Sequence, residues 1–155
     1  MLKLLSLTGL IVLLDQVTKF LIITNLKFQE IIEINSNLKI VYFRNDGAAF
    51  GFLNDAGGWQ RYFLLIVGVV AAVIIPFLIK KYRNEKTIVA ALVLILAGAL
   101  GNLFDRFSLG YVIDFILFHI DKYYWPAFNV ADTSISIGAI LLIYDSIKNK
   151  NGASK

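Results

Sequence analysis

An all-α membrane protein, four transmembrane helices carrying a small extracytoplasmic β-sheet element, is the fold class this sequence predicts. Three observations carry the prediction. Of 155 residues, 58% are hydrophobic and only 17% are charged, where a soluble chain carries about a quarter charged residues. The apolar residues fall in four blocks rather than in an alternating or amphipathic pattern. Each block is near the roughly 20 residues a helix needs to cross a bilayer. The length leaves room for a single integral membrane domain, residues 1–155, with spans over about 4–23, 59–79, 87–104 and 130–147. The absence of cysteine excludes disulfides, thiolate metal sites and cysteine nucleophiles. One histidine, His119, is too few for a histidine-based zinc site or a Ser-His-Asp triad, so no cofactor is expected. The net charge of +4 fits basic anchoring of a cytoplasmic face; nucleic-acid binding is not expected.

The first block, Leu4 to Ile23, has no small-x-small cleavage site after it, and Asp15, Gln16 and Lys19 interrupt it. It therefore reads as a span and not as a cleaved leader. Asp15 and Lys19 are four apart with the acid first, the favourable order for an ion pair on one helix face, and Thr18 lies on the same side. The pair either neutralises itself and holds helices together or presents a substrate-facing patch, with Lys19 reaching toward lipid headgroups.

Between residues 24 and 58, Ile31–Ile34 and Leu38–Phe43 are rich in β-branched and aromatic residues, with Asn35-Ser36-Asn37 as turn material. A small outer sheet resting on the membrane is expected there. Asp46-Gly47 suits a hairpin turn. The small residues that follow, Ala48, Ala49 and Gly51, suggest backbone packed closely against a ligand or a helix. Trp59 and Tyr62 open the second span at headgroup level, and Pro76 is expected to kink or end it. Lys80, Lys81, Arg83 and Lys86 then crowd one short loop, which the positive-inside rule assigns to the cytoplasm. Both termini follow it inside, and the 24–58 and 105–129 loops lie outside.

The third block ends in Ala97-x-x-x-Gly101 and Gly98-x-x-x-Asn102, small-residue spacing that lets helices approach closely in lipid. Asn102, Asp105 and Arg106 share a face. Asp105 beside Arg106 reads as a helix-end charge pair, while Asn102 one turn deeper needs partners. Phe118 to Phe128 is aromatic and reads as an interfacial belt containing His119. Asp114 lies in the loop before it and Asp132 opens the fourth block. Charge at bilayer depth is expensive and faces a cavity or a partner. Asp132 alone would be a good helix N-cap.

Five motifs occur in order: Asp15-Gln16-x-Thr18-Lys19, Asn45-x-Gly47-Ala48-Ala49-Phe50, Gly98-Ala99-Leu100-Gly101-Asn102-Leu103-x-Asp105-Arg106, Gly110-x-Val112-x-Asp114-Phe115 and Phe128-Asn129-x-Ala131-Asp132. Together they closely resemble the motifs of bacterial lipoprotein signal peptidase, signal peptidase II. The resemblance runs from Asp15 to about Ile135. It implies a catalytic dyad at Asp114 and Asp132. It implies dyad support or substrate binding by Asn45, Gly47, Asn102, Arg106, Asn129 and Ala131, with Asp15 and Lys19 as the polar pair of the first helix. The implied substrate is a diacylglyceryl-modified prolipoprotein, cut just before its lipidated Cys. The implied setting is the bacterial inner membrane, with membrane lipids around the site and the cyclic peptide globomycin as inhibitor. The family often has Asn or Thr where this chain has Asp46, which adds a carboxylate near the mouth of the site.

Two carboxyl groups hydrolyse an amide when one takes a water's proton and the neutral other polarises the carbonyl. Such a pair shares a proton, because adjacent like charges raise one apparent pKa. Arg106 would either pair with Asp105 or brace the loop carrying Asp114. Intramembrane Asp and Lys also build proton-coupled transporters, and small-residue faces suit assembly factors. Against transport, four spans are few for an alternating-access repeat and the ionisable residues cluster at one leaflet.

Overall fold

A helix satisfies its own backbone polar groups, which lipid does not, so each long apolar block has one main outcome. The computed structural model describes residues 2–47 and 58–152. It contains α1 (Leu2–Asn25), α2 (Trp59–Lys81), α3 (Lys86–Ser108) and α4 (Val130–Gly152), all long and apolar enough to cross a membrane. α2 passes through Pro76 and ends at Lys81. Spanning helices tolerate the lost N–H because neighbouring groups and local adjustments compensate. α3 runs to Ser108, past the end of the apolar block, and so carries Asp105 and Arg106 on helical backbone.

α3 is the central helix. It packs against α1, α2 and α4 and holds most of the buried span residues, among them Val89, Leu92, Val93, Leu96 and Ala97. The other helices turn large apolar side chains outward, as Leu10, Phe20, Ile66, Phe77 and Ile140 do. Packing between helices in lipid gains nothing from hiding such groups, so close backbone approach does the work. A Cβ on Gly98 would collide with the Ala131 carbonyl oxygen of α4, and one on Gly138 would lie 2.7 Å from the Ala91 carbonyl oxygen of α3.

The sheet sits where α1 and α3 end and α2 and α4 begin, opposite the basic turn joining α2 to α3. Its strands are β1 (Ile31–Glu33), β2 (Leu38–Asn45), β3 (Val112–Ile120) and β4 (Tyr123–Tyr124), antiparallel and in that order. Asn35 makes the first turn, its Oδ1 accepting from the N–H groups of Asn37 (2.9 Å) and Leu38 (3.0 Å). The sheet differs from expectation in one important way. Asp114 is not on a loop: it lies on β3, opposite Phe43, beside a register shift between Ile40 and Phe43. The 118–128 belt likewise begins as β3 and β4, with His119 stacked on Tyr124 at 4.7 Å. Ile113 and Phe115 pack with Tyr42 of β2 and Ile22 of α1. That packing anchors the strand carrying Asp114 to the bundle.

Candidate active site

The first turn of α4 leaves N–H groups without intrahelical partners. Asn129, fully buried, takes one: its Oδ1 accepts from the Asp132 N–H at 2.8 Å. Asn129 is thus the N-cap, and the Asp132 side chain is left for other work. Asp15 of α1 takes a second, with Oδ1 accepting from the Ala131 N–H at 2.9 Å. Because Asn129 Oδ1 faces a donor, its Nδ2 points the other way. It donates to Asp114 Oδ1 (2.8 Å) and to the Ile113 carbonyl (3.2 Å). One amide therefore joins the backbone of Asp132 to the carboxyl of Asp114.

Two more asparagines are oriented by the same logic. Asn45 Oδ1 accepts from the Gly47 N–H (3.0 Å), so its Nδ2 donates to Asp114 Oδ2 (2.9 Å). Asn102 Oδ1 accepts from Lys19 Nζ (3.1 Å), an ammonium that only donates, so its Nδ2 donates to Asp132 Oδ1 (2.7 Å). Asp114 is 3% exposed. Burial, and then the charge of Asp132, push its pKa up to about 7, against the opposing hydrogen bonds from Asn45 and Asn129.

Beneath the two carboxyls lies a second polar cluster. Lys19 is 1% exposed, with Nζ 2.8 Å from both Asp15 Oδ2 and Asp105 Oδ2. Gln16 Nε2 donates to Asp105 Oδ1 at 2.9 Å. Asp105 Oδ2 also accepts from the Ile113 N–H at 3.3 Å, which ties β3 to α3. Lys19 therefore points into the protein and not toward lipid headgroups, because the two acids and Asn102 are closer partners. Thr18 is not part of the cluster; its hydroxyl returns to the carbonyls of Leu14 and Asp15.

Asp105 and Arg106 are not a pair either. Asp105 belongs to Lys19, while Arg106 Nη2 donates to the Gly47 carbonyl at 3.0 Å. Gln16 and Asp105 are the members of the network to which sequence reasoning assigned no part in the site. Their hydrogen bond spans 89 residues of chain, and helical spacing reports only neighbours on the same helix. Ala48, Ala49, Phe50 and Gly51 lie outside the described residues.

Two cavities meet at Asp132, Arg106 and Ser136. One, of about 310 Å³, lies under Trp125–Phe128 and reaches Asn45, Val112 and Ile137. The other, of about 240 Å³, runs between α2 and α4 and is lined by Leu64, Val67, Gly68, Ala71, Ala99, Asn102 and Ile135. Arg106 Nε is buried and has no hydrogen-bond partner among the described residues.

The fold and this end of the bundle define the class: a multi-pass membrane protein with a buried and a half-buried carboxyl, each held by amides, beside an open, mostly apolar pocket. Residues 7–148 match the family model described as signal peptidase (SPase) II. The chain is 46% identical over 148 residues to a lipoprotein signal peptidase of Janthinobacterium sp. (strain Marseille), covering 96% of this chain and 90% of that one. It is 49% identical over 137 residues to one of Ralstonia nicotianae, covering 88% and 79%. Among solved structures it is similar to a bacterial membrane enzyme at TM-score 0.88 and 35% identity, covering 97% of this chain and 90% of that one. A second bacterial membrane enzyme structure gives TM-score 0.82 at 35% identity, covering 94% and 93%. The chain belongs to the signal peptidase II family, and is an aspartic peptidase that processes lipoprotein precursors.

Proposed function

We propose that Asp114 and Asp132 are the catalytic dyad of this peptidase. The observation that carries the reading is the shared amide: Asn129 holds the Asp114 carboxyl with Nδ2 and the Asp132 N–H with Oδ1, each at 2.8 Å. Asn45 and Asn102 supply the remaining donors, and no cation bonds directly to either carboxyl among the described residues. Two acids held this way keep one proton between them. Asp132, which lines both cavities, is placed to act as the base, with Asp114 as the acid.

The steps balance. Water attacks the scissile carbonyl carbon and gives its proton to Asp132, while Asp114 protonates the carbonyl oxygen. The resulting diol then collapses. Its hydroxyl proton returns to Asp114, the proton on Asp132 goes to the leaving nitrogen, and the C–N bond breaks. Arg106, whose buried Nε–H has no partner among the described residues, donates to the substrate at the junction of the cavities. Gly47 and Ala131 serve through their backbones, one holding Arg106 and the other tied to Asp15. Lys19 and Asp15 act as support.

The substrate is a diacylglyceryl prolipoprotein, cut just before the lipidated Cys. The deeper cavity, between α2 and α4, takes the signal-peptide side, and the cavity under Trp125–Phe128 takes the lipidated Cys. Globomycin, which blocks related enzymes, occupies the same space. The chain works as one integral membrane domain of the bacterial inner membrane. Lys80, Lys81, Arg83 and Lys86, at the turn opposite the sheet, support placing both termini in the cytoplasm and the dyad toward the outer face.

The test is cleavage of a purified lipidated prolipoprotein in detergent or nanodiscs by wild type, Asp114→Asn and Asp132→Asn. Cleavage is expected to disappear in both variants with Tm retained. Turnover surviving in either variant would overturn the dyad.

A further inference from the structure

Four hydroxyls inside the spans bond to backbone carbonyls. Thr18 and Thr24 of α1 and Thr133 of α4 return their hydroxyls to carbonyls three or four residues back, and Ser134 donates to the Leu94 carbonyl of α3 at 2.7 Å. Lipid offers no partner, so the backbone is the default acceptor. Ser136, like Ser146 further along α4, makes no such bond among the described residues, but Ser136 alone of the two opens onto the site. It is exposed, it lines both cavities, and among the described residues its hydroxyl makes no hydrogen bond.

Its position gives the departure meaning. Ser136 lies four residues beyond Asp132, on the same helix face and about 6 Å deeper into the bundle. The other polar groups of the deeper cavity are largely engaged: Asn102 with Asp132 and Lys19, and Arg106 Nη2 with Gly47. The rest of that wall is Leu64, Val67, Gly68, Ala71, Ala99 and Ile135, which offer no side-chain donor.

A substrate chain cleaved at Asp132 has to be extended there, because a helix would shield the scissile peptide group from the carboxyls and the water. Unwinding frees carbonyls that the mostly apolar wall of this cavity does not satisfy, and each must find a donor. An extended chain advances about 3.3 Å per residue, so the offset between Asp132 and Ser136 is about two residues. The signal peptide enters from the inner side, which makes those two residues N-terminal to the cut.

We propose that Ser136 is a substrate-binding residue: its hydroxyl donates to the signal-peptide carbonyl two residues N-terminal to the scissile bond, holding the chain extended in register with the dyad. The inference rests on the dyad reading. Loss of register would lower the productive fraction of bound chains, so kcat/KM reports it.

The experiment uses the full-length protein, a lipidated prolipoprotein peptide, and a second peptide with an ester in place of the amide whose carbonyl Ser136 contacts. An ester carbonyl is a weaker acceptor. Ser136→Ala is expected to lower kcat/KM about five- to tenfold on the amide peptide, the size of one lost hydrogen bond. Wild type should lose a similar factor on the ester peptide, with the alanine variant losing little more, which is the signature of one shared interaction. Ser136→Thr should keep kcat/KM within about twofold of wild type, and Tm should not move in either variant. Unchanged kcat/KM in Ser136→Ala overturns the proposal. So does an ester penalty as large in the alanine variant as in wild type, or a loss that follows Tm or that Thr does not relieve. Because the dyad variants are scored by loss of all cleavage, failure of the dyad reading is distinguishable from failure of this one.

Discussion

This molecule holds two pairs of carboxyl groups away from bulk water, three of the four acids buried and Asp132 half-buried, and they differ in what holds them. Asp15 and Asp105 share an ammonium, with Lys19 Nζ at 2.8 Å from each. Among the described residues the carboxyls of Asp114 and Asp132 accept only from amides, Asn45 and Asn129 on Asp114 and Asn102 on Asp132. The clusters are joined by Asn102, which accepts from Lys19 and donates to Asp132. A buried acid bonded to a cation holds structure, since removing either partner strands the other's charge. A buried acid beside another acid, with amides alone for company, is under pressure to keep a proton. Similar residues, a few ångströms apart in one network, are thus sorted into a structural joint and a proton-handling site.

The largest expected effect breaks the amide-held pair. Asp132→Asn should lower kcat at least about 10³-fold, the scale on which a positioned acid or base acts. Tm should stay level or rise, because removing one carboxyl relieves the repulsion in the pair. Differential scanning fluorimetry beside the cleavage assay checks both. A variant equally inactive but several degrees less stable would make Asp132 a structural residue like Asp105.

Next in size is the cation-held pair, where the expected loss is in stability. Lys19→Met leaves Asp15 and Asp105 buried without a counter-charge, at a cost of about 3–5 kcal/mol. Adding Asp105→Asn should recover part of that loss, since one uncompensated charge is then removed. If Lys19→Met alone left Tm unchanged, the joint would be holding nothing.

The contrast also explains what the sequence did and did not disclose. The four spans are legible because lipid demands long apolar helices, and Asp114 and Asp132 stand out because the motifs containing them resemble a known family. The strand carrying Asp114 was hidden. Val112, Ile113, Phe115 and Leu117 are all buried, so β3 reads as a short continuous apolar run with no alternation to mark it. Gln16 and Asp105 were hidden for another reason. Within each helix they look like ordinary interruptions, and their meaning comes only from packing α1 against α3. Lys19 was legible as half of a pair with Asp15, but its second acid lies 86 positions further along the chain.

A third prediction sharpens the comparison through pH. Asp114 binds its proton up to about pH 7 in the folded protein, against about 3.9 for a free aspartate. Between those values the native state holds a proton that the unfolded state has lost. Stability from this group is therefore fully present below about pH 4 and falls as pH rises toward 7. Asp114→Asn should flatten that part of the Tm–pH curve. Cleavage should decline above about pH 7, as Asp114 ionises beside Asp132. A rate that kept rising through pH 8 would remove Asp114 from the role of acid.

The smallest expected effect is a control on distance itself. Lys39 Nζ lies 2.8 Å from Glu33 Oε1, the same separation as either contact of Lys19. Glu33 is 71% exposed, however, and the pair sits at the edge of the outer sheet. The hydrogen bond and charge of Lys39 hold the Glu33 pKa below its ordinary value. Even so, water and salt screen an exposed pair, and ordering two long side chains offsets most of the attraction. Glu33→Gln should leave Tm and cleavage unchanged within error, at low salt and at high. A loss approaching that of Lys19→Met would mean that separation, not burial, sets the strength of these contacts, and the distinction between the two carboxylate pairs would lose its physical basis.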